Sequence, residues 1–237
     1  MNLDNYASKY FSDPSAEIEN FLIMNEYPKI IARNVGHVGS ILELGIGHGY
    51  TLPLFENMCD THSVIEGSKK VIDNFKMNKP LSKSHIYNCL FENFDVDQKY
   101  DLIIMGFILE HVDNPVELLS KYKQLLNVDG KMFVAVPNAK SMNRRIGLEL
   151  GMIPNIYDLN ETDHELGHLR NYCPTTLKAD IENAGLVLEK INGIYLKPLP
   201  LTVLKSLDQF EDNMAALVTL GYEFPELSVA IMAEICN

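Results

Sequence analysis

Seven consecutive residues, Glu43-Leu44-Gly45-Ile46-Gly47-His48-Gly49, set three glycines at alternate positions directly behind an apolar run. Glycine lets the backbone turn tightly and lets a ligand approach it without meeting a Cβ atom. A strand ending this way opens a binding crevice at its carboxyl end. The dinucleotide pattern G-x-G-x-x-G would need its third glycine where Tyr50 stands, so the spacing favours a ligand with no pyrophosphate. Glu66 lies about twenty residues beyond Gly45, the separation at which a strand-terminal carboxylate accepts hydrogen bonds from both hydroxyls of a ribose. The glycine turn and Glu66 together describe a nucleoside site. Glu43, Gly67 beside Glu66, and Gly106 at the end of a later apolar run are placed on its borders.

A second group suits proton handling. His111 follows the run that ends at Gly106, and histidine is the side chain best matched to general-base work near neutral pH. Asn138 closes another apolar run and could orient a hydroxyl. The segment Asp163-His164-Glu165-Leu166-Gly167-His168-Leu169-Arg170-Asn171-Tyr172 concentrates polar chemistry. It contains H-E-x-x-H in literal form, which on a helix would set His164 and His168 on one face for zinc with Glu165 as base. Gly167 weakens such a helix by about 1 kcal/mol relative to Ala, the surroundings lack an apolar stripe, and no distal third ligand is evident. Zinc hydrolysis is therefore kept only as a remote alternative. The preferred expectation is a lid that directs His168, Arg170 and Tyr172 at a substrate, with Arg170 suited to a phosphate or carboxylate.

The elements that must position these residues alternate regularly. Short apolar runs at 40–45, 62–66, 85–88, 100–106 and 131–137 read as buried strands. Between them, 51–58, 68–77 and 115–126 carry helical periodicity, and Val116, Leu119, Tyr122, Leu125 and Leu126 share one face of the last. Strands alternating with such helices predict right-handed crossovers and a parallel sheet covered on both faces. After Pro137 the rhythm breaks, and residues 138–172 are expected as an insertion over the carboxyl edge, too long for an ordinary loop. A helix over 174–184, a strand over 186–194, a helical stretch over 201–220 and a closing strand over 227–235 follow. Residues 1–38 are expected as a helical lead-in, with its helix over 16–33, covering one edge of the sheet. The sum is one α/β domain over 1–237, doubly wound around a seven-stranded, mostly parallel sheet.

Bulk properties exclude several classes. The chain has 237 residues, 46% hydrophobic and 22% charged, ordinary values for a globular protein. Twenty Lys and Arg against 32 Asp and Glu give a net charge of -12, which repels a phosphate backbone. Arg144 with Arg145 stands out, and two residues make no nucleic-acid footprint, so a nucleic-acid partner is not expected. Residues 1–11 do not read as a signal peptide, and no stretch is long and apolar enough to span a bilayer. Cys59, Cys89, Cys173 and Cys236 are scattered, without the spacing of a zinc site or a disulfide scaffold. A cytoplasmic protein with free thiols is expected.

At this point the sequence resembles the class I S-adenosylmethionine-dependent methyltransferases, whose first motif is E/D-x-G-x-G-x-G. The resemblance extends to Leu109-Glu110-His111-Val112-Asp113-Asn114-Pro115, similar to the L-E-H-x-x-D/N-P segment of the ubiquinone-biosynthesis-like branch. It extends also to 126–137, like that branch's L-x-P-G-G-x-L/F strand entry, with Val128 and Asp129 replacing the usual Pro and Gly. The stretch Gly167-His168-x-Arg170-x-Tyr172 is similar to methyltransferases of cell-surface glycan and small-metabolite pathways. The resemblance covers about residues 41–194. It implies that S-adenosyl-L-methionine is the cofactor, that Gly45, Gly47 and Gly49 border its methionine moiety, that Glu66 holds the ribose, and that Leu90 with Phe91 encloses the adenine. Cys89 stands where many relatives place an Asp near the adenine amino group. The implied activity is methyl transfer to a hydroxyl, and second to an amine, of a small polar metabolite such as a sugar or nucleotide sugar, with His111 or His168 as base. A non-catalytic S-adenosylmethionine-binding regulator or scaffold is the alternative from another class. A divalent ion at Glu110, His111 and Asp113 is left open, and no metal is assigned.

Overall fold

The computed structural model describes residues 14–237, so the expectations for the first eleven residues lie outside the described part. Seven strands form one sheet in the order β3-β2-β1-β4-β5-β7-β6. They are β1 (Val38–Leu44), β2 (Cys59–Ile65), β3 (His85–Tyr87), β4 (Tyr100–Gly106), β5 (Leu126–Pro137), β6 (Val187–Gly193) and β7 (Ala230–Cys236). β1 to β5 run parallel, and β7 lies antiparallel between β5 and β6. The sheet class expected from the alternation is the one observed.

Residue alternation along the central strands explains the two covered faces, because successive side chains point to opposite sides. In β4, Ile103 and Met105 join Leu42, Leu44 and Val134 under two helices, α4 (Pro115–Lys123) and α7 (Pro174–Asn183), which contribute Leu119, Tyr122, Leu177 and Ile181. Leu102 and Ile104 face the other way, with Ile41, Phe133 and Met232. There they meet α1 (Pro14–Val35), α8 (Leu201–Lys205) and α9 (Phe210–Glu223). α1 buries Ile23, Tyr27, Ile30 and Ile31, a helical stripe. This corrects the lead-in expectation: α1 lies on a face of the central strands, not along an edge. A third cluster packs α2 (Leu52–Glu56) and α3 (Lys69–Asn78) beside β2, through Leu52, Val64, Val71, Ile72 and Phe75.

Other differences have local causes. β5 begins at Leu126, five residues before the expected start, because Leu126 already pairs with Tyr100 ahead of a register shift. The helical stretch over 201–220 divides into α8 and α9 at Gln209, whose left-handed φ of 57° breaks the ladder. The insertion is ordered by its own bonds. It carries α5 (Met142–Glu149) and α6 (Glu161–Leu166), and its ends are stitched by an Asn138–Tyr172 bridge with Ala139 N donating to Tyr172 O at 2.6 Å.

Candidate active site

The turn after β1 is built as its glycines suggest. Gly45, Gly47 and Gly49 have φ of 84°, 52° and 71°, left-handed values that side chains rarely tolerate. A Cβ on Gly45 would stand 3.2 Å from Ile108 Cδ1 and 4.0 Å from Phe91 Cζ, whereas one on Gly47 would meet nothing within 4 Å. Gly47 thus borders open space into which a ligand can settle against bare backbone. Gly45 N donates to Ile65 O at 2.8 Å, which binds the turn to the end of β2. Immediately beyond, Glu66 accepts from Ile46 N at 3.1 Å and from Ser68 N at 2.7 Å. Those two bonds fix the carboxylate at the same edge as the glycines. Asn88 Nδ2 donates to the carbonyls of Glu66 and Gly67 and joins the β3 exit to this corner. Leu90 is exposed and Phe91 half-buried, with Phe91 leaning on the glycine turn.

Two expected border residues have work inside the fold. The buried Glu43 carboxylate accepts from Thr51 Oγ1 and lies 3.3 Å from His62 Nε2, so it braces the turn from within. A Cβ on Gly106 would come within 2.5 Å of Tyr27 Oη, so this glycine admits the buried Tyr27 of α1. Burial and the nearby Glu43 raise the Tyr27 phenol well above its ordinary value, opposed by a hydrogen bond with Thr51, so Tyr27 stays neutral. The sequence expectation missed Tyr27; the signal available was its place in the α1 apolar stripe beside a strand-terminal glycine.

The loop after β4 carries the second group. Glu110 is buried to 1% exposure, and neither carboxylate oxygen has a hydrogen-bond partner. Burial pushes its pKa up to about 7, with His168 and Arg170 pulling in the other direction. His111 packs edge-on against His168, with ring centroids 4.8 Å apart. Burial, reinforced by His168, lowers His111 to about 4. It is therefore neutral at pH 7, and its weakly held proton makes it a poor general base. His111 Nδ1 faces Gly167 O at 3.4 Å, and His168 Nδ1 lies 3.2 Å from Asp163 Oδ1. Ligand atoms of Glu110, His111 and His168 lie within 4.8 Å of one another. The sequence left Glu110 open as a ligand beside His111 and Asp113; the structure gathers Glu110 and His111 with His168 instead, across the insertion.

Three expected acceptor residues are committed elsewhere. The Arg170 guanidinium donates to the carbonyls of Leu109 and Asp113, at 2.8 and 3.1 Å, and to that of Val112. It clamps the insertion to the post-β4 loop rather than pairing with Glu161 or Asp163. Asn138 is buried, donating to the carbonyls of Glu226 and Ser228 and accepting from Lys140 N. Tyr172 is buried with its hydroxyl donating to Asp180 at 2.8 Å. Arg170 and Asn138 satisfy backbone carbonyls and Tyr172 a side-chain carboxylate, the usual fate of polar groups withdrawn from solvent. The literal H-E-x-x-H does not form one helical face: α6 ends at Leu166, Gly167 caps it at φ 80°, and His164 and Glu165 are exposed.

A family model described as a methyltransferase domain matches residues 6–191, more than three quarters of the chain. The chain belongs to the methyltransferase-domain family. A ubiquinone biosynthesis O-methyltransferase of Glaesserella parasuis is 26% identical over 109 residues, which span 41% of this chain and 45% of that relative. The chain thus matches less than half the length of this curated relative. Among solved structures, the 1,6-didemethyltoxoflavin-N1-methyltransferase of Burkholderia thailandensis, with bound 1,6-didemethyltoxoflavin and S-adenosylhomocysteine, superposes with a TM-score of 0.66 at 12% identity, covering 99% of this chain and 86% of that one. An S-adenosylmethionine-dependent methyltransferase of Mesorhizobium loti gives 0.61 at 14% identity, over 90% and 97%. By family the chain carries a methyltransferase domain, on the fold that these solved S-adenosylmethionine-dependent methyltransferases share. The glycine turn with open space over Gly47, and Glu66 beside it, fit that cofactor. No helix among the described residues is long and apolar enough to cross a membrane.

Proposed function

We propose that this methyltransferase transfers a methyl group to a hydroxyl of a small, neutral polar metabolite such as a sugar. When bound, S-adenosylmethionine supplies an electrophilic methyl on a sulfonium, so the chain's own task is to hold cofactor and acceptor and to manage the acceptor proton. The observation that carries this reading is the joining of two sites. Ile108 of the post-β4 loop touches the Gly45 turn, and Glu110 and His111 follow it directly. In this reading the backbone at Gly45, Gly47 and Gly49 and the Glu66 carboxylate hold the nucleoside and methionine parts, and Glu110, His111 and His168 face the acceptor. A carboxylate acceptor would need no proton removed, so buried nitrogen and oxygen acceptors beside the cofactor favour a hydroxyl.

A phosphate-bearing acceptor such as a nucleotide sugar is the weaker form of the expectation. All three arginines of the insertion are taken up by backbone carbonyls: Arg144 by Ile156 and Asp158, Arg145 by Lys140, and Arg170 by the post-β4 loop. Arg144 and Arg170 thus spend their guanidinium forks on backbone carbonyls rather than on a phosphate, while Arg145 is tied only through its Nε. The test is S-adenosylhomocysteine formation across matched acceptors: neutral sugars, nucleotide sugars, amines and carboxylates. Methylation of a neutral hydroxylated compound is expected. Turnover confined to carboxylates or amines would contradict the hydroxyl assignment. Tight cofactor binding without turnover on any fraction of a metabolite extract would favour the regulator alternative.

A further inference from the structure

We infer that Glu110, His111 and His168 form a binding site for one zinc-like divalent ion. Isolated ionised carboxylates are not buried without a partner, because the cost of removing the charge from water is several kcal/mol. Glu110 is buried with both oxygens unpartnered, and it points into a pair of imidazoles. A cation supplies the missing partner.

The imidazoles are prepared in the manner of ligands. A metal-bound histidine normally directs its other ring nitrogen to a carboxylate or carbonyl, which fixes tautomer and orientation. His111 Nδ1 has Gly167 O at 3.4 Å, and the Asp163 carboxylate lies 3.2 Å from His168 Nδ1, close by but without a hydrogen bond formed between them. His111 Nε2 is thereby left as a lone-pair donor, and His168 offers a ring nitrogen within the same 4.8 Å cluster. The positions of these outer groups come from α6: its capping box places Asp163, and the left-handed Gly167 turns the chain so that its carbonyl and His168 return to the β4 side. Leu169 N, donating to Glu110 O at 2.7 Å, and the Arg170 clamp hold that return.

Ligand type selects the ion. Two imidazoles and one carboxylate suit zinc and related transition ions, whereas calcium and magnesium prefer oxygen alone. Ligand atoms at about 2.0–2.2 Å from a tetrahedral ion are about 3.4 Å apart, so the present separations of up to 4.8 Å close by side-chain rotation. Three protein ligands leave a position open. That position can take water or the acceptor hydroxyl, a role that rests on the methyl-transfer reading; the binding site does not. It is also distinct from the H-E-x-x-H arrangement, because His164 and Glu165 take no part.

The experiment titrates chelator-treated, full-length protein with zinc by calorimetry and with cobalt by visible absorption, and measures S-adenosylhomocysteine affinity on the same sample. One ion per chain is expected, with cobalt bands of a four- or five-coordinate site and no comparable binding of magnesium. Glu110→Gln and His168→Ala should each weaken zinc at least 100-fold. Asp163→Asn, which removes only an outer group, should weaken it about 10- to 100-fold, with circular dichroism unchanged. His164→Ala, aimed at the rival motif, should bind zinc like the parent. Absence of stoichiometric zinc or cobalt binding in folded parent protein overturns the site, as does binding unaffected by Glu110→Gln and His168→Ala. Because S-adenosylhomocysteine is read separately, zinc binding without cofactor binding would refute the methyl-transfer reading and leave the metal site standing; the reverse would do the opposite.

Discussion

At the scale of single residues, the cofactor corner rests on two kinds of requirement that residue type reveals. Gly47 is left-handed and borders open space, so Gly47→Val adds both backbone strain, about 1–2 kcal/mol, and bulk where the ligand must lie. Cofactor binding should be lost while the protein still folds; calorimetry with S-adenosylhomocysteine and a melting curve check both, and unchanged affinity would remove the proposed close approach. Glu66→Ala should weaken binding by about 1.5–3 kcal/mol through loss of charge-assisted hydrogen bonds, and the same calorimetry would place the ribose elsewhere if affinity held. These positions were legible because a left-handed turn demands glycine and a strand-terminal acid lies at a fixed spacing from it. The nearness of His168 to Glu110 was not legible. His168 reaches it across the whole insertion, and no periodicity in the sequence reports a contact made by two loops.

At the scale of elements, the strands and helices from β1 to α4 were readable because apolar period and punctuation agree. Asn114-Pro115 illustrates this: Asn114 Oδ1 accepts from Glu117 N at 3.2 Å and caps α4, with Pro115 at its first position. The insertion was readable only as a break in rhythm. Its polar residues looked like substrate ligands because the sequence does not show which backbone carbonyls need donors. Arg170 decides between the two roles. Its guanidinium ties the insertion to three carbonyls after β4, and Arg170→Ala strands those acceptors. A stability loss of about 2–3 kcal/mol is expected, with a melting temperature lower by roughly 4–12 °C for a chain of this size. Cofactor affinity should change little. Arg170→Lys should recover only part of the loss, since an ammonium cannot reproduce the planar fork. An unchanged melting temperature together with a raised acceptor KM would restore Arg170 to the acceptor site.

At the scale of the whole molecule, the two edges of the sheet divide the labour. The carboxyl edge carries the glycine turn, Glu66 and the Glu110 cluster, while the amino edge is pinned by carboxylates. Asp101, at the start of β4, accepts from Ser40 N at 2.8 Å and from Asn127 Nδ2 at 2.6 Å, tying β1 and β5 to it. Glu56, ending α2, accepts from Ser84 Oγ at 2.5 Å and from Lys83 N and Ser84 N at 3.0 Å ahead of β3. Burial alone would raise both carboxyls; the hydrogen bonds outweigh it and hold each below its ordinary value. A carboxyl depressed in the folded state binds its proton more readily when unfolded, so stability rises with pH through that window. The contribution is complete above the unfolded pKa of about 4 and disappears as pH falls through the folded value. Asp101→Asn with Glu56→Gln should therefore cost on the order of 1 kcal/mol each at pH 7, allowing for solvent screening at these partly exposed sites. The two share no partner, so the losses should add. Urea unfolding at a series of pH values should show the gap to the parent constant from pH 7 to about 5 and narrowing below pH 4. Cofactor affinity should be unaffected, because neither residue reaches the carboxyl edge. A gap that stays the same down to pH 3 would mean that these carboxylates are not held below their ordinary pKa, and that the amino edge is secured by packing alone.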